Sequence, residues 1–91
     1  MSEIRNFKDL LAWQKAMDFV EECYRLTQAF PSHEKFGLAG QLQRAAVSVA
    51  ANIAEGQGRA TTGEFLNFLS IARGSLMEAQ TICSSHNDWA M

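Results

Sequence analysis

Apolar residues recur at helical spacing in three segments of the chain, and polar or glycine-containing breaks separate the segments. In the first segment, two adjoining stripes with spacings of three and four residues make one wide apolar face. The first stripe comprises Leu10, Trp13, Met17, Val20 and Tyr24, and the second comprises Ala16, Phe19, Cys23, Leu26 and Phe30. This pattern predicts a helix over 9–30, in which Asp9 either caps the start or adds favourable charge to the first turn, and Pro31 ends the helix.

The second segment combines helical spacing with small side chains and predicts a helix over 36–56. Its apolar positions are Leu38, Leu42, Ala45, Val49 and Ile53, with Ala46 and Ala50 alongside. An alanine-rich face lets a neighbouring helix approach closely. Gly56 and Gly58 are expected to end this helix, because glycine adopts left-handed backbone geometry without steric cost.

The third segment predicts a helix over 62–84. Thr61 and Glu64 have the spacing of a capping box, in which each side chain bonds to a backbone N–H of the first turn. The apolar face comprises Phe65, Phe68, Leu69, Ala72, Leu76, Ala79 and Cys83. Gly74 costs about 1 kcal/mol relative to alanine within a helix, which favours a close helix contact at that position. Residues 85–91 are expected to form a short tail.

These segments predict one all-α domain over 1–91, an antiparallel bundle of three long helices. Apolar residues make up 47% of the 91 residues, a content typical of folded chains. The net charge of −2 argues against broad, non-specific nucleic-acid binding, which needs an excess of Lys and Arg, but it leaves room for a local basic patch. Two distant cysteines, no apolar leader and no run of about 18–20 apolar residues predict a cytoplasmic protein with free thiols.

The residue pattern contains no phosphate loop, dinucleotide fingerprint or metalloprotease motif, so we expect no enzyme and no catalytic or cofactor-binding residue. Ser48 and Ser75 have no His or Asp at a spacing that would activate a nucleophile. Cys83 and His86 supply only two ligands, whereas tetrahedral zinc needs four, and no metal site is predicted.

Several cations are candidates for phosphate contacts: Lys35, Arg44, Arg59 and Arg73. The alternative, which the acidic balance favours, is a solvated face with salt bridges to Glu55, Glu64 or Glu78. Trp13 and Tyr24 are interpreted as core anchors rather than base-stacking platforms. For Asn52 and Glu55 we favour hydrogen bonds across helices or to nearby backbone over a ligand site.

The motifs at 7–10, 13–16, 30–31, 34–38, 41–48, 52–56 and 74–78 together resemble the "four helix bundle protein" family. That family is also called the intervening-sequence or ribosomal-protein-like family, because some members are encoded within intervening sequences of bacterial 23S rRNA genes. The positions that carry the resemblance most clearly are Trp13, Gln41, Arg44, Ser48, Asn52, Glu55, Gly56 and Gly74. The resemblance implies a helical bundle that assembles into a ring, commonly a homopentamer, without established enzymatic activity.

The chain departs from the family's pattern after the third helix, where members usually continue into a fourth and this sequence turns polar. Faces of the first and third helices would then stay exposed, so we expect self-association or a helix from elsewhere. The resulting expectation is a non-enzymatic oligomeric scaffold that acts in an RNA-linked context. Two alternatives remain: an accessory protein that works with a reverse transcriptase and nucleic acid, as in the related branch of diversity-generating retroelements, or a truncated member without independent activity.

Overall fold

The computed structural model of the protein describes residues 10–34 and 37–90, with the backbone alone at 34 and 85–90. The α-helices are α1 (Leu11–Thr27), α2 (Leu38–Gln57) and α3 (Thr62–Ala90), with a one-turn 3-10 helix at Ser32–Glu34. No strand occurs within these residues, so the prediction of an all-α chain with three long helices is confirmed. The predicted contribution of Asp9 lies outside the described residues.

The first helix is shorter than predicted, because it ends at Thr27 and not at Phe30. Residues 28–30 form a turn in which the N–H of Phe30 donates to the carbonyl of Thr27 at 3.1 Å. The Thr27 hydroxyl donates to the carbonyl of Tyr24 at 2.8 Å and accepts from Gln43 Nε2 at 3.0 Å. These bonds satisfy polar groups at the helix end and fasten it to α2.

Three contacts establish that neighbouring helices are antiparallel. The last residue of α1, Thr27, bonds to Gln43 in the first part of α2. Farther along α2, Ser48 bonds to Ser75 of α3, and the end of α2 at Gly56 meets Phe68 near the start of α3. The helix α2 therefore packs against both α1 and α3.

Small side chains dominate the core between the helices. Of the fourteen buried apolar residues in the described part of the chain, seven are alanine, and Leu42 is the largest fully buried side chain. The predicted apolar faces of α2 and α3 are buried or half-buried, and all of their members except Phe65 and Phe68 belong to this core or pack against it. Their placement is confirmed, and the alanines explain how the helix backbones come close.

The end of α2 does not use left-handed glycine, contrary to the prediction. Its C-cap, Gly58, has φ −86° and ψ 1°, and no described glycine has a positive φ. The Gly58 N–H instead donates to Glu55 O at 3.1 Å, and the Arg59 N–H donates to Gly56 O at 3.1 Å. A tight turn of i→i+3 bonds thus ends the helix.

The third helix begins as predicted but ends later. The Glu64 N–H donates to Thr61 Oγ1 at 3.1 Å, which is one half of the predicted capping box. The helix then runs 29 residues to Ala90, so the prediction of a tail after residue 84 was wrong. Ser, His, Asn and Asp each cost less than about 0.7 kcal/mol relative to alanine in a helix, and no Gly or Pro interrupts residues 84–90.

None of the described helices is long and apolar enough to cross a membrane.

Candidate functional site

The turn between α2 and α3 holds one of the candidate cations against the protein itself. The Arg59 guanidinium pairs with the Glu55 carboxylate, and its Cζ lies 4.7 Å from the centroid of the Phe68 ring. An ion pair combined with a cation–π contact positions the guanidinium. The expected salt bridge to Glu55 is confirmed here, and Arg59 is a structural part of the turn.

Arg44 has different surroundings. It is exposed on α2 and lines a cleft of about 420 Å³ between α1 and α2, which we call the Tyr24 cleft. The cleft is lined by Tyr24, Gly40, Gln43, Arg44, Val47 and Ser48. Among the described side chains, those of residues 10–33 and 37–84, the ion pairs are Arg25–Glu22 and Arg59–Glu55, so none of these carboxylates pairs with Arg44.

Tyr24 is not the core anchor that its place in the apolar stripe predicts. Its side chain is 44% exposed, whereas Val20, one turn earlier, is buried. Gly40 of α2 offers no side chain to cover the ring, and the polar side chains of Gln43 and Arg44 line the same cleft. The sequence carried no signal for this exposure, because it depends on which α2 residues lie opposite Tyr24. Trp13 remains half-buried against the core.

The other two candidate cations do not add to an identifiable patch. Arg73 is exposed on α3, and Lys35 lies outside the described residues. Arg44 and Arg59 line different clefts. Arg44 and Glu55, the partner of Arg59, are eleven residues apart on α2, which is about 16 Å along a helix.

A small polar network crosses the interface between α2 and α3. The hydroxyl groups of Ser48 and Ser75 are 2.7 Å apart, and Asn52 Nδ2 donates to both the hydroxyl and the carbonyl of Ser48, at 3.0 and 2.8 Å. Asn52 thus bonds within its own helix, and Ser48 carries the connection to α3. These half-buried groups satisfy one another, as expected for polar groups at a helix interface.

The two glycines of the recognised motifs have opposite environments. A Cβ on Gly56 would lie 3.0 Å from Phe68 Cβ and 3.3 Å from Phe65 O, so glycine is needed for close approach to α3. A Cβ on Gly74 would meet nothing within 4 Å, and the residue is exposed. The predicted close helix contact at Gly74 is therefore absent within the described chain. Gln41, another motif position, is also exposed.

An apolar groove lies along the outer side of α1 and α2. It encloses about 290 Å³ and is lined by Trp13, Met17, Val20, Val47, Ala50, Ala51 and Ala54. Val47 lines both this groove and the Tyr24 cleft, so the two are adjacent. The groove offers almost no polar group for catalysis or ligand orientation, which favours a packing surface over an active site.

Comparison with known proteins gives a family but no characterised relative. No curated protein shows a significant match to the chain. A model of the family described as "23S rRNA-intervening sequence protein" matches residues 8–90, nearly the whole sequence. Together with the helical architecture, this match shows that the chain belongs to the 23S rRNA-intervening sequence protein family.

Proposed function

We propose that the protein is a non-enzymatic helical scaffold that assembles with copies of itself. The observation that carries this proposal is the apolar outer surface of α3, where Leu66 and Met77 are 56% and 55% exposed. They are eleven residues apart, close to three helical turns, and so lie on one face. Ile71, 44% exposed, lies about 120–140° further around the helix, at the other edge of its outward arc. Large apolar side chains at both edges of this arc would be removed from water in a contact between copies.

The position of Gly74 also favours a contact between copies on the outward side of α3. At 100° per residue it lies on the outward arc of α3 between Met77 and Ile71. Because no atom of the described chain crowds Gly74, its absent side chain leaves the backbone open to another molecule. Small residues on helix surfaces permit close helix approach, and the apolar groove of a second copy is lined in part by Ala50, Ala51 and Ala54.

In such an assembly, the outer face of α3 in one copy packs against the apolar groove along α1 and α2 of the next copy. An interface between two different surfaces of identical chains is heterologous, and it closes into a ring when the rotation permits. The family resemblance implies five copies. Ring assembly also suits a small domain, since a chain of this size buries only a modest fraction of its surface alone.

The solution mass of the purified chain across a concentration series tests the proposal. We expect a fixed assembly, about five times the 10.1 kDa chain mass, that persists on dilution. Light scattering coupled to size exclusion measures it directly. A monodisperse, cooperatively unfolding monomer at every concentration would contradict the scaffold.

A second candidate is a nucleic-acid accessory function, in partnership with a reverse transcriptase or another nucleic-acid-processing protein. It is favoured by Arg44 and Arg73, which are exposed and have no carboxylate partner within the described residues. Binding to RNA would weaken steeply with salt, and Arg73→Ala would flatten that slope if Arg73 contacts phosphate. Arg25→Ala is the matched control, since Arg25 already pairs with Glu22 at 2.6 Å. A salt-independent signal would argue against this candidate.

A further inference from the structure

The Tyr24 cleft combines an exposed aromatic ring with a guanidinium that lacks an acidic partner in the described chain. A second opening of about 280 Å³ is lined by Thr27, Gln28, Ala39, and also by Tyr24 and Gln43. Tyr24 therefore stands between two adjoining openings along the seam of α1 and α2. This arrangement is separate from the outer face of α3.

We propose that the Tyr24 cleft binds one nucleotide of a single-stranded RNA, with the base on the Tyr24 ring and a phosphate at Arg44. The inference rests on the nucleic-acid candidate above. To Arg44, which the sequence already offers as a phosphate contact, it adds an aromatic ring that the sequence assigns to the core.

The aromatic side chain has the exposure that stacking requires. Tyr24 is 44% exposed, and within the described residues its phenol group makes no hydrogen bond. Its backbone carbonyl accepts from the Thr27 hydroxyl at 2.8 Å, which stabilises the end of α1 next to Tyr24. Aromatic rings on such surfaces stack with bases irrespective of sequence, because every base has a π face.

The charge available for a phosphate is that of Arg44. Two other arginines, Arg25 and Arg59, are occupied by Glu22 and Glu55, whereas no described carboxylate pairs with Arg44. A guanidinium presents several N–H donors in one plane and matches the geometry of phosphate oxygens. The exposed carboxylate of Glu21, three residues before Tyr24, opposes phosphate binding, so we expect moderate affinity that depends on salt.

The remaining residues that line the cleft offer a hydrogen-bonding group and space for the edge of a base. Gln43 Nε2 is held by Thr27 Oγ1 at 3.0 Å, which orients the amide and leaves its carbonyl oxygen without a described partner. Gly40 lines the same cleft and contributes backbone only. The volume of about 420 Å³ falls within the range of small-ligand pockets. Bases of a duplex are already stacked on both faces, and this favours single-stranded RNA.

The test is a titration of a fluorescein-labelled oligouridylate of twelve nucleotides, followed by anisotropy at 50 and 200 mM salt. We expect saturable binding that Tyr24→Leu and Arg44→Gln each weaken by about tenfold, and that Tyr24→Phe and Arg44→Lys largely retain. Arg44→Gln is also expected to reduce the salt slope by about one. Arg25→Gln, which removes the same charge from a paired arginine on α1, should leave affinity nearly unchanged.

Three results would overturn the inference. These are affinity unchanged in both Tyr24→Leu and Arg44→Gln, equal affinity for a duplex of the same length, or equal competition by polyglutamate, which would indicate an acidic peptide. Binding that survives both substitutions leaves the nucleic-acid function standing and removes only this site, whereas no saturable binding at 50 mM salt removes both. Light scattering and urea unfolding of each variant separate these outcomes from changes in assembly or fold.

Discussion

At the scale of single residues, Gly56 shows how one missing side chain sets the distance between two helices. It is buried in the last turn of α2, and its backbone has no unusual conformation. The atoms that exclude a Cβ belong to α3, namely Phe68 Cβ and the carbonyl oxygen of Phe65. An alanine at this position would require these α3 atoms to shift by a few tenths of an ångström.

Replacing Gly56 with alanine is expected to destabilise the protein by about 1–2 kcal/mol, because the added methyl group overpacks the α2–α3 contact. This is the net of an overpacking cost of about 2–3 kcal/mol and a gain in helix propensity of about 1 kcal/mol. Gly63→Ala is the control, since a Cβ there would have only Thr61 Oγ1 near it, at 4.0 Å. Urea unfolding measures both variants, and a Gly56→Ala chain as stable as the parent would contradict the packing argument.

Cys23 is a second residue whose chemistry is set by its surroundings, because its thiol is buried. Its side chain is 3% exposed, and burial, followed by the neighbouring Cys83 and by Glu22, raises its pKa from 9.0 to about 11. Burial also raises the pKa of Cys83. Because the thiolate is the reactive form, both thiols are expected to be poor nucleophiles in the folded protein.

The raised pKa of Cys23 predicts a loss of stability at high pH. Between about pH 9 and 11 the unfolded chain releases the thiol proton while the folded chain keeps it, so the free energy of unfolding falls as pH rises. Urea unfolding across this range measures the fall, and Cys23→Ala should make it shallower. Equal pH dependence in the two chains would rule out the Cys23 contribution.

At the scale of helices, the start of α3 depends on a local signal and its end does not. Thr61 caps the first turn through the Glu64 N–H at 3.1 Å. At the other end, a run of weak helix formers continues the helix to Ala90. The difference arises because a cap is one specific hydrogen bond at a defined residue. A helix, by contrast, continues as long as each further residue adds a backbone hydrogen bond, and it stops where a helix-breaking residue or a loss of packing outweighs that gain.

Thr61→Ala is expected to lower stability by about 1 kcal/mol, the usual cost of losing an N-cap side chain. Thr61→Ser keeps the hydroxyl and should restore most of the loss. Thr62→Ala, the adjacent exposed position, provides a control for helix propensity and side-chain removal. Thermal unfolding compares the three variants, and a Thr61→Ala chain no less stable than Thr62→Ala would show that the cap contributes little.

Helical periodicity predicted the number of helices and their buried faces, because spacings of three and four residues depend only on helix geometry. It failed where the outcome depended on a neighbour. The exposure of Tyr24 depends on Gly40 opposite it, and the role of Gly56 depends on Phe65 and Phe68. Among the candidate cations, periodicity also left open which would be paired, since ion pairs depend on side-chain placement on the folded surface.

At the scale of the whole molecule, the described chain measures 50 × 21 × 19 Å, a length set by the 29-residue α3. An elongated bundle has much surface relative to its core, and here that core is rich in alanine, which buries little apolar area per residue. Assembly would cover both the outer face of α3 and the groove along α1 and α2.

Met77→Glu is expected to shift the assembly towards the 10.1 kDa chain while leaving the fold intact. The side chain is 55% exposed, and Glu and Met have similar helix propensities, so the charge acts on the contact between copies. Ala29→Glu places the same charge on an exposed turn outside α3 and serves as the control. Light scattering measures both variants, and an unchanged mass for Met77→Glu would place the contact elsewhere.

The position of α2 between its two neighbours has a consequence for local opening. Loosening α1 or α3 exposes one side of α2, whereas loosening α2 removes the packing partner of both. Its backbone amides should therefore exchange with deuterium more slowly than those of α1 or the exposed stretches of α3. Exchange followed by mass spectrometry on peptides from each helix would reveal this order, and α2 would be the last part of the protein to lose its protons.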